Sequence, residues 1–145
     1  MKPTEKQIKN IAESLDSGMR SFFHLKTGEI KELPNFENWL DTSTSDLWDD
    51  DVKEIEKNSE DYFEFEDIDS YEFYQIMTDF AESVEDIRLQ ERLLQALSGS
   101  KPFRNFKWQI EYSGNYREKW FDFKMRKYVE WVKEQIEENK EKFNE

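Results

Sequence analysis

Apolar residues recur along this chain at two distinct periods, and the changes of period mark out its elements. Thr4 and Gln7 stand at the spacing of a capping box, and Ile8, Ile11, Ala12 and Leu15 follow at helical intervals, which predicts a first helix running to about Ser17. Gly18 ends it. Residues 19–25 and 30–33 flank the turn Lys26-Thr27-Gly28-Glu29 and stop at Pro34, the pattern of a β-hairpin whose tight turn uses the positive φ open to Gly28. Phe22 and Phe23 are neighbours and so point to opposite faces, which implies that both faces of the hairpin are at least partly covered.

Phe36, Trp39 and Leu40 are spaced for a short helical turn, and the polar cluster Asp41-Thr42-Ser43-Thr44-Ser45 that follows is rich in N-capping residues. A helix is expected from about Asp46 with Trp48, Val52 and Ile55 as its apolar stripe. Asp46, Asp49 and Asp50 crowd its first turns, where the helix dipole favours each carboxylate by roughly 0.3–1 kcal/mol. Residues 62–66 alternate with period two around Phe63 and Phe65 and predict a third strand beside the hairpin. An exposed Trp39 or Trp48 would point to a dimer, although both also fit a core.

The rest of the chain reads as helices. Ser70 is placed to cap one with Phe73, Met77, Phe80 and Val84 inward, and after a break at Glu85-Asp86 the next carries Leu89, Leu93, Ala96 and Leu97 before Gly99. Pro102 suits the first turn of a third, which turns Phe103, Phe106 and Ile110 inward and stops at Ser113-Gly114. The last starts near Asn115 and presents Trp120, Phe123, Tyr128, Trp131 and Val132 to the core. Past Ile136 the sequence is almost wholly polar, so residues 137–145 are expected to fray or project. The pattern predicts a mainly α fold with minor β (α+β). It is a multihelical single domain over residues 1–145, with a small antiparallel β-hairpin near the N-terminus and a third strand at 62–66.

Composition supports a folded chain. A length of 145 residues suits one domain, and although 38% of residues are charged and only 36% apolar, the aromatic share reaches 16%, far from the aromatic-poor signature of disorder. There is no cysteine, which removes disulfides, thiolate nucleophiles, zinc ribbons and iron–sulfur clusters together. No apolar run has signal-peptide length or approaches about 18 residues, so a cytoplasmic location off the membrane is expected.

The formal charge of -13 is unevenly spread. Residues 46–86 hold 17 Asp and Glu against Lys53 and Lys57, whereas residues 87–127 hold 10 Lys and Arg against 4 Asp and Glu. The acidic segment would repel a nucleic-acid backbone. The basic segment either attracts one or lies against the acidic segment in the fold, and mutual pairing is expected because such charge runs are most often solvated or self-paired.

Candidate chemistry is narrowed mostly by exclusion. The four glycines, Gly18, Gly28, Gly99 and Gly114, are isolated, so no phosphate-cradling or dinucleotide-binding loop is encoded locally. His24 is the only histidine, which leaves no His-paired metal motif and reads as an ordinary surface or half-buried strand residue. Asp49-Asp50-Asp51 sits on a helix, where neighbours point about 100° apart, and Glu64, Glu66, Asp67 and Asp69 lack the glycine and terminal glutamate of an EF-hand loop. No catalytic residue, metal ligand or cofactor is therefore assigned.

Lys101, Phe103, Arg104, Phe106, Lys107 and Trp108, and then Arg117, Lys119, Trp120, Lys124, Arg126 and Lys127, interleave cations with rings, as single-stranded nucleic-acid sites do. Phe103, Phe106, Trp120 and Phe123 fall on inward stripes, however, and rings spent on a core cannot stack on a ligand. Arg104, Lys107, Lys119 and Lys124, with Trp108, remain as the candidate polar binding surface.

Three segments, Leu93-Leu94-Gln95-Ala96-Leu97, Pro102-Phe103-Arg104-Asn105-Phe106-Lys107 and Trp120-Phe121-Asp122-Phe123, resemble in order those of uncharacterised protein family 158, whose members are bacterial. The resemblance takes in Ile76-Met77-Thr78-Asp79-Phe80-Ala81 and so spans roughly residues 62–132, with the N-terminal helix and hairpin resembling some members more loosely. It implies a bacterial protein but no reaction, cofactor or site residue. Three functions follow in order of support: a non-enzymatic protein-binding or regulatory module, engaging a basic partner through residues 46–86; a nucleic-acid binder using the basic-aromatic half, disfavoured by total charge; and a carboxylate-metal hydrolase.

Overall fold

The computed structural model describes residues 1–35 and 48–144. Helix α1 (Glu5–Asp16), strands β1 (Met19–His24) and β2 (Ile30–Pro34), helix α2 (Asp49–Lys57), a 3-10 turn (Ser59–Asp61) and strand β3 (Tyr62–Phe65) come first. Helices α3 (Ser70–Ser83), α4 (Ile87–Ser98), α5 (Pro102–Glu111), α6 (Tyr116–Glu138) and α7 (Lys140–Phe143) follow. The described chain is mainly α with a small antiparallel sheet. The helical turn expected around Phe36, Trp39 and Leu40, and the start near Asp46, lie outside the described residues. The chain groups into two compact units, Met1–Asp67 with Tyr128–Glu145, and Ile68–Lys127.

In the first unit the sheet runs β2-β1-β3, with both pairings antiparallel. The α1 capping box forms: Thr4 Oγ accepts from the Gln7 N–H at 3.1 Å while Gln7 Oε1 accepts from the Thr4 N–H at 3.0 Å. Gly18 and Gly28 sit at φ 79° and 77°, conformations that a Cβ disfavours, so the chain turns at both. Phe22 and Phe23 are 4% and 0% exposed, and both faces of the sheet are covered. Phe22 packs with Leu33, Ile55 and the half-buried Trp48, Val52 and Tyr62. The Phe23 ring instead meets Phe143 at 5.8 Å, and Phe143 also meets Phe63 at 4.9 Å and Phe65 at 6.1 Å.

Beyond Phe65 the strand would leave a bare backbone, and α6 supplies its partners. Gln135, 8% exposed, accepts from the Glu66 N–H at 2.7 Å and donates back to the Glu66 carbonyl at 3.0 Å, while Trp131 Nε1 donates to that same carbonyl at 2.8 Å. The amide thus continues the sheet's hydrogen-bonding pattern. Past Ile136, where a frayed or projecting end was expected, Asn139 Nδ2 donates to the Gln135 carbonyl at 2.8 Å, and a short α7 places Phe143 at 0% exposure. The Met1 amine donates to the Phe143 carbonyl at 2.8 Å.

The second unit holds α3, α4, α5 and the first half of α6. Its core is Met77, Phe80, Ala81, Val84, Leu89, Leu93, Leu97, Phe106 and Ile110. Trp120 lies against it, with its ring centroid 5.0 Å from Phe106, 5.3 Å from Phe80 and 6.1 Å from Phe73. Two expectations are corrected. The α3 cap is Asp69, whose extended backbone lets Oδ1 accept from the Glu72 N–H at 2.8 Å, whereas Ser70 is already helical. Phe103 is not inward: it is 39% exposed and stacks on Phe73 at 6.0 Å, because Phe106 and Ile110, one turn apart, take the buried stripe of α5.

The junction of α3 and α4 is heavily bonded. Asp86 Oδ1 accepts from the Arg88 and Leu89 N–H groups at 3.0 and 3.2 Å, and Gln90 Nε2 donates to the Glu82 carbonyl at 2.9 Å. These bonds satisfy orphan groups at both helix ends, and Tyr74 Oη ties α3 to the α4 end through the Leu97 carbonyl at 2.8 Å. Helix α5 packs on α4 through the shared core, Leu93 and Leu97 with Phe106 and Ile110.

Candidate functional site

Helix α5 is amphipathic for a structural reason that also creates a surface. With Phe106 and Ile110 committed to the core, the positions one helical face away fall to Arg104, Lys107, Trp108 and Glu111. Trp108 is 59% exposed and Tyr112, one turn on, is 73% exposed, with ring centroids 5.0 Å apart. Together with Lys101, Arg104, Lys107 and Glu111 they line an open, mostly apolar-walled groove of about 490 Å³. On its other side Trp108 joins Arg92, Gln95 and Asn105 around a second hollow of about 410 Å³. One indole therefore walls both.

The charge here is uncompensated. Glu111, the one acid in the groove, is met by Arg117 at 3.6 Å, whereas Lys101, Arg104, Lys107 and Arg92 make no ion pair among the described residues. Lys101 enters α5 at φ 49° and no side chain caps the helix, so its first N–H groups and the positive end of its dipole add to the same potential.

The four cations singled out from the sequence divide. Arg104 and Lys107 share the groove. Lys119 stands over the Tyr116 ring at 4.7 Å and Lys124 over Phe121 at 5.4 Å. Five residues apart, these two point about 140° away from one another around α6 and form no common face. Tyr112 and Arg92 belong to the surface but escape sequence reasoning, although the Trp108–Tyr112 spacing of four was a visible signal.

The acidic segment has partners elsewhere. Glu64 pairs with Arg20 at 2.8 Å, Asp61 with Lys26 at 3.2 Å, and Asp51 with Lys31 at 3.0 Å, so three of its carboxylates are matched by the hairpin rather than by residues 87–127. The Asp51 hydrogen bond holds the Lys31 ammonium above its ordinary pKa of 10.5. Burial, followed by the charges of Asp67 and Asp16, pushes the Tyr128 hydroxyl well above 10.0. His24 is half-buried, and its Nδ1 accepts from the Lys26 and Thr27 N–H groups at 3.2 and 3.1 Å, so the imidazole braces the hairpin turn. Among the described residues no three His, Asp or Glu side chains converge on a point that would hold a metal, and no helix is long and apolar enough to cross a membrane.

The α5 face thus brings cations, unpaired among the described residues, and exposed rings together on one helix. The family model described as Uncharacterised protein family (UPF0158) matches residues 4–145, and the chain belongs to that family. No curated protein and no solved structure matches it.

Proposed function

We propose that this protein is a non-enzymatic, cytoplasmic protein-binding module of bacteria that docks its partner on the outward face of α5. The observation that carries this reading is the Trp108–Tyr112 pair, large rings held in solvent on a rigid helix and flanked by Arg104 and Lys107. Trp, Tyr and Arg are the residues in which interface energy concentrates, and an exposed ring of this kind gains most when a partner covers it. Residues 46–86 support docking less well, because three of their 17 acids, Asp51, Asp61 and Glu64, are matched by cations of their own unit.

Capture from a native lysate at low and high salt, with wild-type and Trp108→Ala protein side by side, tests the proposal. The expected result is a salt-sensitive protein partner retained by wild type and lost by the variant, since truncating a central aromatic anchor costs ~2 kcal/mol or more, roughly thirtyfold in affinity. Equal capture by the two proteins would reject the α5 face. A second reading, single-stranded nucleic-acid binding, rests on the same cations beside Trp108, but the formal charge of -13 opposes approach of a phosphate backbone.

A further inference from the structure

The groove's chemistry narrows its occupant. Lys101, Arg104 and Lys107 line the groove without ionic partners among the described residues, Arg92 lines the second hollow that Trp108 also walls, and Glu111 is paired with Arg117 at 3.6 Å. A segment lying along residues 101–112, ~16 Å at 1.5 Å per residue, meets Lys101, Arg104 and Lys107 within the first ~9 Å, with Arg92 of α4 beside Trp108. The full ~16 Å is the reach of an extended stretch of about five residues. The Trp108 and Tyr112 rings, with centroids 5.0 Å apart, add a solvent-exposed apolar surface just C-terminal to these cations along α5.

Resting on the reading of α5 as a protein-docking face, we infer that its occupant is a short acidic peptide segment carrying a single aromatic or large aliphatic anchor. The anchor covers Trp108 and Tyr112, and Asp or Glu residues near it engage Arg104 and Lys107 in the groove and Arg92 beside Trp108. Charge complementarity selects this occupant over a basic or neutral peptide. A nucleic-acid strand offers the same negative charge, but each added nucleotide extends its phosphates beyond the groove toward a chain with 13 more acids than bases. A short peptide confines its charge to the cationic stretch.

A random peptide library displayed on phage, selected against the full chain, provides the test. Arg104→Glu/Lys107→Glu and Trp108→Ala proteins serve as parallel baits, and oligo(dT) as a competitor. All three altered residues are solvent-facing, and circular dichroism establishes that each variant retains wild-type helicity; Arg104→Gln/Lys107→Gln replaces the charge reversal if it does not. The expected pool selected by wild type is net negative with one conserved large apolar position. A synthetic peptide from that pool should bind with its affinity lowered roughly tenfold by the charge reversal and roughly thirtyfold by Trp108→Ala, and oligo(dT) should not displace it. Enrichment of neutral or basic sequences, a pool unchanged by the variants, no enrichment at all, or displacement by oligo(dT) would each overturn the inference. Salt-sensitive, Trp108-dependent capture of a folded protein would still uphold the docking face in the first three cases, so the two readings fail separately.

Discussion

Replacing Phe143 by Ala probes the least expected feature of the first unit. The ring is 0% exposed and lies within 4.9–6.1 Å of Phe63, Phe23 and Phe65. A buried phenylalanine removes ~150 Å² from water at the low end of the aromatic range, which at about 25 cal/mol per Å² corresponds to ~4 kcal/mol. Measured Phe-to-Ala losses in cores run at about 3–5 kcal/mol. Helix α7 is a single turn, free to shift inward and close part of the cavity, which places the expectation at the lower end, about 3 kcal/mol. Urea denaturation followed by circular dichroism reads it, with Glu141→Ala, an exposed neighbour, as a control expected to stay within about 0.5 kcal/mol. A loss below about 1 kcal/mol for Phe143→Ala, or one no larger than the control's, would refute the packing argument.

Gln135→Leu should cost ~1–3 kcal/mol despite the added apolar volume, because it strands the Glu66 N–H; equal urea midpoints for wild type and variant would contradict the strand-mimic role of that amide. Raised values for Tyr128 and Lys31 mean that the folded chain holds these protons more tightly than the unfolded one. Their contribution is therefore intact below pH 10.0 and 10.5 respectively and is lost as pH rises above those values, so thermal melts should show stability falling on the alkaline side. Tyr128→Phe should shallow that alkaline slope, with Lys31 and Tyr62, which is also raised by burial, accounting for what remains. An unchanged slope in the variant would remove Tyr128 from the account. Gly18→Ala, at φ 79° with nothing within 4 Å of the added methyl, should lose about 1 kcal/mol from backbone strain alone, and an unaltered melting temperature would show that the turn relaxes.

The elements that sequence reveals here are those with local signals. The Thr4–Gln7 box, the Gly28 turn and the Phe63/Phe65 alternation each carry their own geometry, and each appears where the spacing places it. Ser70 and Asp69 are adjacent residues of equal capping competence, so only the backbone angles separate them. Phe143 is a lone ring in Lys140-Glu141-Lys142-Phe143, and one apolar residue has no period. Its burial depends on Phe23, Phe63 and Phe65, which lie far away in sequence. Gln135 looks like a surface residue until the backbone it completes is in place.

The candidate site divides along the same line. Arg104, Lys107 and Trp108 were legible because their helix is amphipathic and its inward positions are obvious. Lys119 and Lys124 belong to a longer helix, and each lies over its own ring. The participation of Arg92 depends on the packing of α4 against α5, which no local pattern encodes. The charge blocks led to the expectation that residues 46–86 pair with 87–127, whereas Asp51, Asp61 and Glu64 take hairpin cations, a pairing set by the sheet and not by any local pattern.

The central claim, that α5 is a protein-docking face, is tested most directly by a photo-crosslinking amino acid placed in living cells at position 108 and, separately, at position 71. Tyr71 is 78% exposed, on α3, and lines neither hollow, so it reports encounters made by exposure alone. The account predicts a discrete protein adduct from position 108 that is missing from position 71 and is suppressed by Arg104→Glu/Lys107→Glu in the same chain. Identical adducts from the two positions, or adducts from position 108 that nuclease digests and protease spares, would contradict it.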